Sequence, residues 1–398
     1  MSKQSKRPQE AFPPELPPFR RYTLCGDPAF ESQVKQDLSR LAADAELSLA
    51  GHVRALLLVG RFARGEGSVI SKHGEAHAFP GYHCLAVVDR AEPTTTAAIQ
   101  ELSRTWTEYL HTPVWIKAYP AEALARRQRT LWRVDFSRGG VELLAGDRTV
   151  LQRMSTLDVA ELAPDEAGWL LTEQAALLAI ALEDGDADGE SLPVDRMTHL
   201  LHNLALACGD AEQLLHQQFA GGLRARLMQL KSLDVPAVRW ELYESAIHFL
   251  FRPDRWAPDI DPMTWRTQTL RTLRDWHLQI EARRVRTPES VRRYVRHRPP
   301  LYQQRKRGER WWQLGRLMRN QALSFPYVSD ERERLARAAV ALSYEGDVPA
   351  SRMLAARLLD PAGHAGQPAR SLAIPLSDLY RSARAHFRND PVDGSFYV

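Results

Sequence analysis

The sequence predicts an α+β chain, a small α/β unit followed by a larger all-helical region. Four short apolar runs carry the first half of that reading: Val53–Val59, Leu85–Val88, Val114–Ala118 and Val141–Leu144. Each is bounded by Gly, Pro or Asp, as buried strands are. Beyond Asp158 no such run recurs, and apolar residues return at helical spacing. No fixed-period repeat is visible, which disfavours a solenoid.

Taken in order, residues 1–20 hold Pro8, Pro13, Pro14, Pro17 and Pro18. Such a stretch sustains neither helix nor ladder and reads as a flexible, extended leader. Phe30, Val34, Leu38, Leu41 and Ala42 then predict an amphipathic helix over Pro28–Ala50, and a second helix, Thr95–Leu110, lies among the strands. These elements make residues 21–157 the α/β unit. The helical region, 158–398, opens with Pro164 at a first helical turn and the stripe Trp169, Leu170, Ala176, Leu177, Ile180, Ala181. Further helices are predicted near 194–217, 223–233, 236–251, 263–285, 288–297, 304–323, 330–345 and 349–358. In the 263–285 stretch Leu270, Leu273, His277 and Ile280 share a face, with Arg266, Arg271 and Arg274 off it.

The chain has 398 residues, 44% hydrophobic and 26% charged, an ordinary soluble composition. Lys and Arg number 53 against 49 Asp and Glu, a formal net charge of +4, so nucleic acid is permitted as a partner but not demanded. Cys25, Cys84 and Cys208 are few and far apart. They exclude a disulfide framework and a CxxC zinc ribbon and fit a reducing compartment. The longest apolar candidate, Trp169–Leu182, is interrupted by Thr172, Glu173 and Gln174, so no membrane span is predicted. The first residues lack an apolar signal core, which predicts a cytoplasmic protein. The Ala and Arg bias suits a GC-rich bacterial genome.

The most informative stretch is Leu56-Leu57-Leu58-Val59-Gly60-Arg61-Phe62-Ala63-Arg64-Gly65-Glu66-Gly67. A strand runs into a glycine turn whose N–H groups could face a phosphate. No Gly-Lys-Ser/Thr follows, so it is not a Walker loop, and the glycine spacing is not that of a dinucleotide fingerprint. Gly60, Arg64, Gly65 and Glu66 resemble the glycine turn and Arg-Gly-Glu of the nucleotidyltransferase superfamily. Leu85–Val88 resembles that family's next strand, Gly140–Asp147 a late strand and turn of one bacterial branch, and Asn203–Leu215 the opening of its helical region. The resemblance implies a phosphate-binding turn with Gly60, Arg61, Arg64 and Gly65 as anion or nucleotide contacts.

The same resemblance implies three carboxylates holding two Mg²⁺ ions, two of them at i and i+2 on one strand. Those positions fall at Tyr82 and Cys84, and the third falls near Lys117. Phenol, thiol and ammonium are not hard anionic ligands. The expectation is therefore a nucleotidyltransferase-like protein without its metal site, acting by binding, with no cofactor. An active transferase using Mg²⁺ and an NTP is the alternative. Asp135 and Glu142, the nearest other acids, read as surface carboxylates beside a hairpin.

Other candidates are weighed against plainer readings. His73, His77, His83 and Cys84 have the chemistry of zinc ligands but read as a solvated loop. Asp184, Asp186, Asp188 and Asp195 are spaced like a calcium loop, yet Pro193, a final Asp instead of Glu, and the lack of a paired loop favour an acidic linker. Arg283–Arg319 is dense in basic residues against Glu289 and Glu309, with Tyr294, Tyr302, Trp311 and Trp312 interleaved. Its Arg292, Arg293, Arg296, Arg305, Lys306, Arg307 and Trp312 are candidates for a protein partner, or secondarily nucleic acid. The plainer reading is a helix with Trp311, Leu314, Leu317 and Met318 packed inward. Cys208 reads as core packing.

Overall fold

The computed structural model describes residues 21–72, 74–125, 129–138, 140–154, 157–184, 195–286, 289–297, 301–302, 331–359 and 372–387. All its strands precede residue 147, and every element after it is helical. The first part holds α1 (Pro28–Ser48), β1 (Ala55–Val59), α2 (Gly60–Arg64), β2 (Ser68–Lys72), β3 (Glu75–Phe79) and β4 (Tyr82–Val88). It continues with α3 (Pro93–Leu110), β5 (Val114–Pro120), α4 (Ala121–Ala125), α5 (Leu131–Ser137), β6 (Val141–Gly146) and α6 (Thr149–Gln152). The second part holds α7 (Asp165–Asp184), α8 (Arg196–Leu215), α9 (Leu223–Ser232), α10 (Ala237–Phe251) and α11 (Pro262–Val285). It ends with α12 (Val291–Val295), α13 (Glu331–Glu345), α14 (Pro349–Leu359) and α15 (Ala373–Phe387).

The main sheet runs β5-β4-β1-β6, and β4–β5 is its parallel pair. Each strand read from the sequence is present within a few residues. The segment 68–79, read as a loop, is instead the separate hairpin β2–β3. The helices α2, α4, α5, α6 and α15 also escaped the sequence reading, whereas α1, α3 and α7–α14 follow it. The leader 1–20 and the predicted helix 304–323 lie outside the described residues.

Alternation sorts the central strands onto two faces. Leu56, Leu58, Cys84, Ala86 and Ile116 pack with Phe30, Val34 and Leu38 of α1 and Ile99 and Trp106 of α3. Leu57, Val59, Leu85, Val87 and Tyr119 pack with Trp132 and Phe136 of α5. The helical part has its own core, in which α7 lies between α8 and α13. That core also takes in Ile70, Phe79, Leu131 and Val134 of the first part, so apolar packing crosses the junction at 157. Among the described residues no helix is long and apolar enough to cross a membrane.

Candidate functional site

The turn after β1 is built as its glycines suggest. Gly60 has φ +76°, which lets the chain leave the strand sharply, and Gly65 ends α2 at φ +75°. A side chain on Gly65 would also stand 2.8 Å from the Arg21 carbonyl oxygen. The Gly65 N–H donates to the Phe62 oxygen at 3.2 Å and the Glu66 N–H to the Arg61 oxygen at 2.8 Å. These amides close α2 and do not face an anion, which removes Gly65 from the anion contacts.

Arg64 is also committed. Its guanidinium meets Glu66 at 2.7 Å and Asp135 of α5 at 3.2 Å, all three being buried. Asp135 is therefore an internal ion-pair partner, not the surface carboxylate read from the sequence. Arg226 of α9 continues the chain of charges, 3.5 Å from Asp135 and 3.0 Å from Asp210 of α8. The Tyr243 hydroxyl donates to Asp210 at 2.7 Å, and the Leu223 N–H to Glu66 at 2.8 Å. Burial alone would raise the Glu66 pKa, but Arg64 and Arg226 hold it below the ordinary range. At Asp135 and Asp210 burial prevails and the pKa lies above the ordinary value, despite their arginines.

Arg61 differs from its neighbours. It is 5% exposed, and among the described residues its Nη1 has no hydrogen-bond partner and its Nη2 reaches only the Asn203 side-chain oxygen, at 3.5 Å. Burial, aided by the charge of Arg64, lowers its pKa to about 9. His199 and His83 feel the same field, and burial together with Arg61 pushes each down to about 3. His199 Nε2 lies 2.9 Å from Asn203 Nδ2, so α8 supplies a polar wall to the Arg61 side chain.

Two of the positions that the resemblance implies for carboxylates lie in the sheet core. Tyr82 and Cys84 point into the core beneath α1 and α3, away from the α5 side. The other face of β4 carries His83 and Leu85, with Trp115 4.4 Å from His83 and Lys117 beside Leu85 in the β4–β5 register. Neither face of these strands offers a carboxylate, because β1, β4 and β5 contain no Asp or Glu. Burial raises the Cys84 thiol to about 12, so it offers no thiolate.

The remaining candidates separate. His83 and Cys84 are adjacent on β4 and face opposite ways, His77 sits in β3, and His73 lies outside the described residues. They do not form one zinc site. Asp195 caps α8 through the Met197 and Thr198 amides and pairs with Arg266, so it is a helix cap and not a twelfth-position ligand. Asp184 ends α7, while Asp186 and Asp188 lie outside the described residues. Among the described residues no three His, Cys, Asp or Glu side chains are grouped to hold a metal ion.

Arg292, Arg293 and Arg296 are exposed on and just after α12, whereas Arg305, Lys306, Arg307 and Trp312, with the Trp311 stripe, lie outside the described residues. The basic run is less open than its sequence suggests. The Arg284 side chain is wholly buried and paired to Glu281 at 2.7 Å, and Arg283 pairs with Glu212. Tyr294 and Tyr302 are buried, bonded to Glu281 and Thr172, so they do not stack bases. Cys208 is fully buried, as expected.

The buried charge cluster is the feature sequence reasoning missed. Its one signal is an acid at Asp210 inside the apolar stretch Leu204–Ala211, which demands a buried partner. Compared with protein-family models, curated proteins and solved structures, the chain matches none.

Proposed function

We propose that this chain is a nucleotidyltransferase-like protein that binds an anionic ligand without transferring a nucleotide. On this reading it serves as a cytoplasmic binding or regulatory factor. The carrying observation is the replacement of acid by base at the Gly60 turn. The strands β1, β4 and β5 bear no carboxylate, β6 bears only Glu142, which accepts from the Tyr22 hydroxyl at 3.2 Å, and Arg64 and Arg226 neutralise the nearby Glu66 and Asp135. A divalent cation brought there would have to displace two guanidinium groups. Arg61 keeps a buried donor without an acceptor, a costly arrangement that a phosphoryl oxygen would relieve.

The helical part supports the second half of the proposal. Arg292, Arg293 and Arg296 stand exposed on one short segment, and such a surface suits an acidic protein partner. Calorimetric titration with ATP and GTP tests the site, with and without Mg²⁺. Heats that are unchanged without metal, lost in Arg61→Gln, and accompanied by no pyrophosphate support the binder. Magnesium-dependent pyrophosphate release overturns it in favour of an active transferase.

A further inference from the structure

On the α1 side of the sheet, away from Arg61, a cavity of about 600 Å³ opens between α1, β3 and the end of α3. That size lies inside the range of about 300–1,000 Å³ usual for small-molecule sites. Its floor is Phe30, Ala78 and the buried Tyr82, whose phenol hydrogen-bonds Asp37. The opposite rim carries Tyr109, more than half exposed, and His111, which holds a left-handed φ of +48° just after α3.

The chemistry of the wall narrows the ligand. Asp37 and Arg40 stand less than one turn apart on α1, and Arg40 donates to the Tyr109 hydroxyl at 3.1 Å. Both signs of charge therefore line the space. A phosphate would meet Asp37, and a polyamine would meet Arg40. Gln33 and Gln36, exposed and just before them on α1, also line the cavity, and their side chains make no hydrogen bond within the described residues. Each amide both donates and accepts, as does a ligand hydroxyl, and the exposed Tyr109 ring offers an apolar face.

We infer that this cavity is a binding site for a neutral polyhydroxylated ring, a mono- or disaccharide, gripped by Gln33, Gln36, Asp37 and Arg40 and covered by Tyr109. A ring of this kind uses donors and acceptors together and opposes neither charge. Burial holds the Asp37 carboxyl above its ordinary range. Ligand hydroxyls donating to its carboxylate would replace part of the lost hydration. Nothing in this inference depends on the reading of the Gly60 site.

The test is saturation-transfer NMR and calorimetry on the full chain with glucose, galactose, N-acetylglucosamine and maltose, beside spermidine and inorganic phosphate. At least one sugar binds saturably in the millimolar range or tighter. The double variant Gln33→Ala/Gln36→Ala and the single variant Tyr109→Ala each weaken it about tenfold. These residues are exposed, so unchanged melting of the variants separates lost binding from lost folding. The inference is overturned if none of the four sugars saturates. It is equally overturned if the variants bind sugar as the native chain does, or if spermidine or phosphate displaces the sugar.

Discussion

Arg226 and Asp210 form a 3.0 Å ion pair with side chains 2% and 7% exposed. The pair connects α9 to α8 within the helical part, and through Asp135 the same arginine reaches the α/β part. Arg226 also donates to the carbonyls of Ala220 and Gly221 and lies over the Phe219 ring. A charge held this way has its hydrogen bonds satisfied, and that is what makes an internal ion pair tolerable.

Removing one partner leaves the other charged and without solvent. Asp210→Asn and Arg226→Met are each expected to cost about 3–5 kcal/mol, read by urea unfolding. The double variant should cost much less than the sum, and strict additivity would show that the pair is not coupled.

Arg61 should behave in the opposite way to Arg64, less than one turn away on the same five-residue helix. Arg64→Met strands Glu66 and Asp135 and is expected to lower the melting temperature by many degrees. Arg61→Met removes a guanidinium that has no carboxylate within ion-pair distance. It should be neutral or stabilising in the absence of ligand, while abolishing anion binding. Parallel thermal melts of the two variants check this.

Acid should unfold the protein through its buried imidazoles. Burial lowers His83, His199 and His202 to about 3 and His277 to about 4, from an ordinary 6.5. Between those values the unfolded chain binds more protons than the native one, so stability is full above about pH 6.5 and falls as pH falls towards 3. Asp135 and Asp210, raised by burial, hold protons more readily in the native state and oppose this trend. The melting temperature followed from pH 7 to pH 4 reads the slope. His202→Phe, replacing a ring stacked on Phe249, should flatten it.

How much of this was legible in the sequence depends on the element. The strands β1 and β4 showed themselves through the apolar runs Ala55–Val59 and Leu85–Val88, both strands being covered on both faces. The same uniformity concealed which residues of β4 face which way, since a strand buried on both sides has no alternation to read. The hairpin β2–β3 hid behind Lys72, Gly74 and Glu75, whose polarity is that of a turn. The charge cluster draws on residues 64, 66, 135, 210 and 226, and no local pattern links positions so far apart.

Gly209 offers a test in which local propensity and packing pull in opposite directions. It lies inside α8, where Gly→Ala ordinarily stabilises a helix by about 1 kcal/mol. Here a Cβ would stand 2.2 Å from the Tyr243 ring, and that ring is fully buried. Neither can give way cheaply, because the Tyr243 hydroxyl is held by Asp210, the next residue on α8. Pushing the ring aside would lengthen that bond and weaken the anchoring of Asp210 opposite Arg226. Overpacking of this kind costs about 1–3 kcal/mol, which exceeds the helical gain. Gly209→Ala should therefore be destabilising in urea unfolding. In Gly209→Ala/Tyr243→Leu, where the ring is absent, adding the alanine should be harmless or favourable; equal destabilisation in both backgrounds would refute the ring contact as the cause.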